Sequence, residues 1–215
     1  KALLDSSHHF EFLQKECGNH GIDAKATIDV AKMMARKDKI VSGLTQGIAG
    51  LFKKNKVDWL QGSASFKDSK TVIVKDTSGQ EETASASHFI IASGSIPIEL
   101  ESAKVDSERI VDSSGALSFP EIPKRVCVIG AGVIGLELGS VWRRLGTDVT
   151  VLEAAPDFLP TTDLSISKEA LKIFKRQGLN IKLGAKVLNA DVHEKHVEVK
   201  YQINESEKVE KFDKI

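Results

Sequence analysis

The stretch from Arg125 to Glu153 leaves the chain little choice of fold. An apolar run, Val126-Cys127-Val128-Ile129, leads directly into Gly130-Ala131-Gly132-Val133-Ile134-Gly135, a G-x-G-x-x-G pattern. Leu136 and Glu137 continue it with helical character. A second β-like run, Asp148–Leu152, ends at an acid, Glu153, eighteen positions after the last glycine. Each glycine has a physical reason to be there: Gly130 permits a tight strand-to-helix turn, Gly132 leaves the backbone open to a pyrophosphate, and Gly135 lets the helix pack close to the strand. The first-turn amides of that helix then point at the phosphates with the positive end of the helix dipole. The spacing thus predicts a βαβ dinucleotide-binding unit with its phosphate cradle across Gly130, Ala131, Gly132, Val133, Ile134, Gly135, Leu136 and Glu137. Glu153 is placed to accept hydrogen bonds from an adenosine ribose. An acid there repels a 2′-phosphate, and no Arg or Lys occurs from Ala154 to Leu164 to receive one, so NAD is expected rather than NADP.

Charge excludes some partners. Thirty basic and thirty acidic residues cancel, so there is no general electrostatic pull toward nucleic acid or an anionic membrane. No apolar run approaches the roughly 20 residues of a membrane span. The only cysteines, Cys17 and Cys127, lie far apart in no metal-ligand spacing, and a reducing compartment is the default. Cys127 reads as a buried small hydrophobe inside its strand. The chain begins at Lys1 without Met or a signal pattern, and Phe212–Ile215 reads as the start of a further strand, so the expectation is a segment of a longer protein.

Ahead of the βαβ unit, residues from Lys1 to about Cys17 read as a helix closed by Gly18-Asn19-His20-Gly21. A longer helix follows, with Asp29 as its N-cap and apolar positions from Val30 to Phe52. Short β-like pieces at Val57–Leu60, Thr71–Lys75 and His88–Ala92, broken by turns such as Asp76-Thr77-Ser78-Gly79, suit an antiparallel meander. Pro120 and Pro123 mark a boundary. Beyond Glu153, a helix over Ser165–Gln177 stops at Gly178, and strands are expected near Asn180–Leu183, Lys186–Asp191 and Val197–Ile203. Asn204–Lys208 reads as a solvated hairpin tip.

Several segments, in order along nearly the whole chain, resemble one family. They are Lys1-Ala2-Leu3-Leu4, Leu44-Thr45-Gln46-Gly47-Ile48, Ile90–Pro97, Val111–Leu117 and Val128–Trp142. Together they look like the dihydrolipoamide dehydrogenases, the flavin-dependent E3 components of 2-oxo acid dehydrogenase complexes. The resemblance implies an α/β fold in two parts: residues 1–117 as the latter portion of an FAD-binding domain with an antiparallel β meander, and residues 118–215 as a Rossmann-like NAD-binding domain, incomplete at its C-terminal end. It implies FAD and NAD as cofactors, with electrons passing from dihydrolipoamide on a lipoyl domain through a disulfide and FAD to NAD+. The family's redox cysteine pair, its first glycine-rich FAD loop and its His–Glu base are expected outside this chain, so the segment alone is expected to be inactive. A homodimer in bacterial cytoplasm or mitochondrial matrix goes with the same likeness.

By that resemblance, Lys1 is the lysine near the flavin N5 edge and Glu137 the acid that pairs with it, the two positions assigned a catalytic part. Ser93-Gly94-Ser95 resembles the element that closes over the FAD phosphate and ribose, and Ala64, in Gly62-Ser63-Ala64, the turn that meets the FAD adenine. Val187 resembles the residue that meets the adenine of NAD from the next strand. A related flavin disulfide reductase, a soluble transhydrogenase and a non-catalytic NAD-binding module remain alternatives at this point. No metal site is expected: His8 and His9 are adjacent, where a helical pair would need i, i+4 spacing, and His20, His88, His193 and His196 are scattered.

Overall fold

The computed structural model describes residues 1–215 and divides into two compact units, residues 1–38 with 97–215 and residues 39–96. In the larger unit, α1 spans Ala2–Lys15 and runs into a 3-10 turn, Cys17–His20. Helix α2, Val30–Lys54, starts in this unit, and its first turn is capped as the sequence predicts: Asp29 Oδ1 accepts from the Lys32 amide at 3.0 Å. The short helix α3, Ser113–Ala116, is capped in the same way by Asp112, whose Oδ1 accepts from the Gly115 amide at 2.9 Å. Strand β4 (Arg125–Ile129), helix α4 (Val133–Arg144) and strand β5 (Asp148–Glu153) form the βαβ unit, and helix α5 (Leu164–Arg176) returns the chain to β6 (Asn180–Leu183).

β4, β5 and β6 form a parallel sheet in that order, with Val126 opposite Val149 and Val151 opposite Ile181. A parallel sheet covered on both faces needs apolar side chains pointing both ways, and the strand period of two divides them between two cores. Val126, Val149 and Val151 pack with Leu3 of α1, Met33 of α2 and Leu136, Val141 and Trp142 of α4. Cys127 and Leu152, on the alternate positions, pack with Val197, Val199, Tyr201 and Phe212. Those last residues belong to a second sheet, the antiparallel meander β7 (Lys186–Val192), β8 (Val197–Ile203) and β9 (Ser206–Phe212). The result is three layers: helices, parallel sheet, antiparallel sheet. Burying each such Val or Leu stabilises the fold by roughly 1.5–3 kcal/mol relative to exposure. The chain end ties the sheets together, since Cys127 donates its amide to the Lys214 carbonyl at 3.1 Å and the Arg125 amide to Asp213 Oδ2 at 2.9 Å. Pro123 lies inside the larger unit rather than at its edge, and its carbonyl accepts from the buried Thr147 hydroxyl at 2.8 Å.

The smaller unit holds the rest of α2 and an antiparallel sheet of β1 (Ser63–Asp68), β2 (Thr71–Lys75) and β3 (Glu81–Ser85). The meander is as expected, but its outer strands are not. Val57–Leu60 and His88–Ala92 are irregular, and Ile90 is 94% exposed, because no neighbouring strand supplies the hydrogen bonds a β-strand needs. The polar segments β1 and β3 flank β2 instead, through the turn where Asp76 Oδ1 accepts from the Ser78 and Gln80 amides at 2.8 and 2.9 Å. β9 differs in the same sense. The hairpin tip is only Asn204-Glu205, both with positive φ (48° and 62°), and the polar residues after it already form the strand. No helix is long and apolar enough to cross a membrane.

Candidate functional site

At the C-terminal end of β4 the chain turns sharply at Gly130, whose φ of 101° lies in the left-handed region that glycine tolerates. Its amide donates to the Leu152 carbonyl at 2.8 Å, so the turn hangs from the end of β5. Gly135 is required by packing: a Cβ there would lie 2.4 Å from the Gly130 carbonyl oxygen and 2.9 Å from Val128 Cγ1. Gly132 is the opposite case. It is the N-cap of α4 with no side-chain cap, and nothing stands within 4 Å of where its Cβ would be. The first intrahelical bond is Leu136 N–H to the Gly132 carbonyl at 3.0 Å, so the amides of Val133, Ile134 and Gly135 precede it as free donors. Val133 and Ile134 are 68% and 58% exposed there, while Leu136 is buried and anchors the turn. An open glycine turn followed by free helix-terminal amides fits a pyrophosphate.

Glu153 closes this loop. Its Oε2 accepts from the Ala131 amide and its Oε1 from the Ala155 amide, both at 2.8 Å. Each oxygen keeps a lone pair, so the half-buried carboxylate is held in place and can still accept from a vicinal diol. Sequence spacing predicted the acid; its bond to the Ala131 amide appears only in the structure.

Lys1 and Glu137 meet as an ion pair, with side chains 82% and 46% exposed. Glu137 sits on α4 just after Gly135, and α1 packs along α4, which is what brings Lys1 to it. The remaining predicted positions are spread out. Val187 lies on β7 opposite Tyr201 and packs half-buried against the second core. Ala64 is exposed on β1, paired with Val74. Ser93, Gly94 and Ser95 are exposed in an irregular segment, with Gly94 at φ 76°. These last four all belong to the smaller unit.

Both cysteines are free and buried. Burial first, then the nearby Glu210 charge, pushes the Cys127 thiol up to about 12, so it stays protonated and inert at neutral pH. Beneath the second sheet, Lys182, Tyr201 and Glu210 form a mutual cluster, with Lys182 Nζ donating to the Tyr201 hydroxyl at 2.6 Å and Arg125 Nη2 3.3 Å from Glu210. Burial pushes the Glu210 carboxyl up, but hydrogen bonds from Lys182 and Tyr201 and the Lys182 and Arg125 charges more than reverse this and hold it below the ordinary range. One grouping is absent from the sequence reading: the β7–β8 hairpin brings His193, His196 and Glu198 together. The H-x-x-H spacing across a two-residue polar tip was the available signal.

Comparison with known proteins places this geometry. The family model described as pyridine nucleotide-disulphide oxidoreductase matches residues 1–215. The dihydrolipoyl dehydrogenase of Cupriavidus necator is 50% identical over 204 residues, covering 94% of this chain and 42% of that protein. Dihydrolipoyl dehydrogenase 3 of Pseudomonas putida is 48% identical over 191 residues, covering 88% of this chain and 41% of that protein. The chain therefore spans about two-fifths of the length of these relatives. LpdA of Mycobacterium tuberculosis superposes with a TM-score of 0.87 over 100% of this chain and 46% of its own, at 20% identity, a likeness of fold.

Proposed function

This chain belongs to the pyridine nucleotide-disulphide oxidoreductase family, and from that premise we propose that it is the cofactor-binding part of a dihydrolipoyl dehydrogenase. Residues 118–215 are proposed to bind NAD and residues 1–117 to contribute to an FAD site. The single observation that carries the NAD reading is the Glu153 carboxylate, bonded to the Ala131 amide beside the open face of Gly132. In that arrangement the free amides of Val133, Ile134 and Gly135 take the pyrophosphate, Ala131 and Leu136 shape the turn, Glu153 takes the ribose hydroxyls, and Val187 contacts the adenine. Lys1, with its charge held by Glu137, lies beside the flavin, where a cation favours an anionic reduced ring. Ala64, Ser93, Gly94 and Ser95 contact the adenosine half of FAD.

When bound, FAD supplies a two-electron carrier and NAD+ the final acceptor. The redox disulfide and the acid–base pair are proposed to lie outside these 215 residues, since both cysteines here are buried and free. The substrate of the whole enzyme is then dihydrolipoamide on the lipoyl domain of a 2-oxo acid dehydrogenase complex. The enzyme is proposed to act as a homodimer, in cytoplasm or mitochondrial matrix. Glu153→Ala tests the nucleotide site directly. Fluorescence titration with NADH should show a loss of roughly 1.5–3 kcal/mol, the range for hydrogen bonds to a charged group. Equal affinity in the parent and the variant rejects the ribose assignment.

A further inference from the structure

The β7–β8 hairpin carries a cluster that the nucleotide and flavin readings leave unused. His193 donates its amide to the His196 carbonyl at 2.8 Å, so the two residues face each other across the tip Glu194-Lys195. Directly opposed residues of an antiparallel pair project to one face, and so do residues two apart on one strand. Glu198 therefore shares a face with His196, and Asp191, its cross-strand partner, joins them. The alternate positions Val197 and Val199 are fully buried in the second core, which leaves this face to solvent. The two imidazoles stack with centroids 4.8 Å apart at 21°. One donor atom from each of His193, His196 and Glu198 lies within 4.8 Å of the others.

We propose that this hairpin is a binding site for a divalent first-row transition metal, zinc in the first instance, held by His193, His196 and Glu198. Two imidazole nitrogens and one carboxylate oxygen are the donor set that suits such a cation, with a fourth position open to water. Donors around a tetrahedral zinc with bonds of about 2.0–2.1 Å stand about 3.4 Å apart, so the widest spacing here closes by rotation of side chains that are exposed or half-buried. The backbone beneath is already fixed. The Arg109 guanidinium donates to the Glu194 carbonyl and to the Asp213 carbonyl, the latter at 3.4 Å, clamping the tip to the neighbouring loop. Glu198's present partner is Lys211, 3.9 Å away across the sheet, a solvent-exposed contact of small worth that a doubly charged cation displaces.

Calorimetric titration of the 215-residue protein with Zn2+, paired with visible spectra of the Co2+ form, tests this. One saturable equivalent is expected, with the intense d–d bands of a four-coordinate Co2+. His193→Gln and His196→Gln should each weaken Zn2+ by at least about tenfold, the low end of what even outer-shell partners are worth. The double variant His8→Gln/His9→Gln should bind as the parent does. Zn2+ should also raise the thermal midpoint of the parent and raise that of Glu198→Gln less, a comparison that stands even if a histidine variant folds poorly. Absence of saturable binding overturns the proposal, as does unchanged affinity in both hairpin variants or loss of binding in the His8/His9 variant.

Discussion

Gly135→Ala separates the two jobs assigned to the glycine pattern. The added Cβ would stand 2.4 Å from the Gly130 carbonyl oxygen, where ordinary contact begins at 3.4 Å, a shortfall of 3.4 − 2.4 = 1.0 Å. The obstacle is backbone, held by its own bond to Leu152, so helix α4 must move off the strand. Overpacking of this kind costs about 1–3 kcal/mol, and a rigid backbone obstacle belongs at about 3. Replacing glycine inside a helix returns about 1 kcal/mol, which leaves a net loss of about 2. At about 2–4 °C per kcal/mol for a chain of this size, the thermal midpoint should fall by about 4–8 °C. Gly132→Ala is the control, because its Cβ meets nothing within 4 Å and its φ of −72° suits any residue. It should cost only about 0.5–1 kcal/mol as a poorer N-cap, yet weaken NADH by about tenfold or more, or 1.4 kcal/mol, by filling the open face. Circular dichroism melts and NADH fluorescence titrations read the two effects. A Gly135→Ala protein as stable as the parent refutes the close-approach argument. A Gly132→Ala protein that binds NADH normally refutes the pyrophosphate argument.

Glu210 has its folded-state carboxyl below the ordinary range, so its contribution is present above the unfolded value and lost as pH falls through the folded one. The stability gap between parent and Glu210→Gln, from urea midpoints, should be largest near neutrality and shrink below about pH 4.5; a gap that does not vary with pH contradicts the linkage. The Lys1–Glu137 pair is exposed, and such pairs contribute about 0–1 kcal/mol. Glu137→Gln should therefore melt close to the parent while shifting the flavin reduction potential when it is introduced into the whole FAD-loaded enzyme. A destabilised variant with an unmoved potential assigns the pair to structure alone.

Residues 125–153 were readable because a βαβ unit is local: the strand, the turn, the helix and the acid follow one another, and Gly135 answers to Val128 and Gly130 close by in the chain. Hydrophobic pattern placed β2, β6 and β8 to the residue for a related reason, since each carries its own apolar face. Pattern failed where structure is imposed from outside. The polar segments Ser63–Asp68 and Glu81–Ser85 are strands because β2 offers them a hydrogen-bonding edge, whereas apolar His88–Ala92 is irregular because nothing pairs with it. The nucleotide site divides along the same line. Sequence alone supplied its glycines, its acid and the expectation of NAD over NADP. The bond from Ala131 to Glu153 and the docking of α1 that carries Lys1 to Glu137 were decided by tertiary structure, because each joins groups far apart in the chain, whereas the facing of His193 and His196 across their hairpin tip is local and already marked by the H-x-x-H spacing.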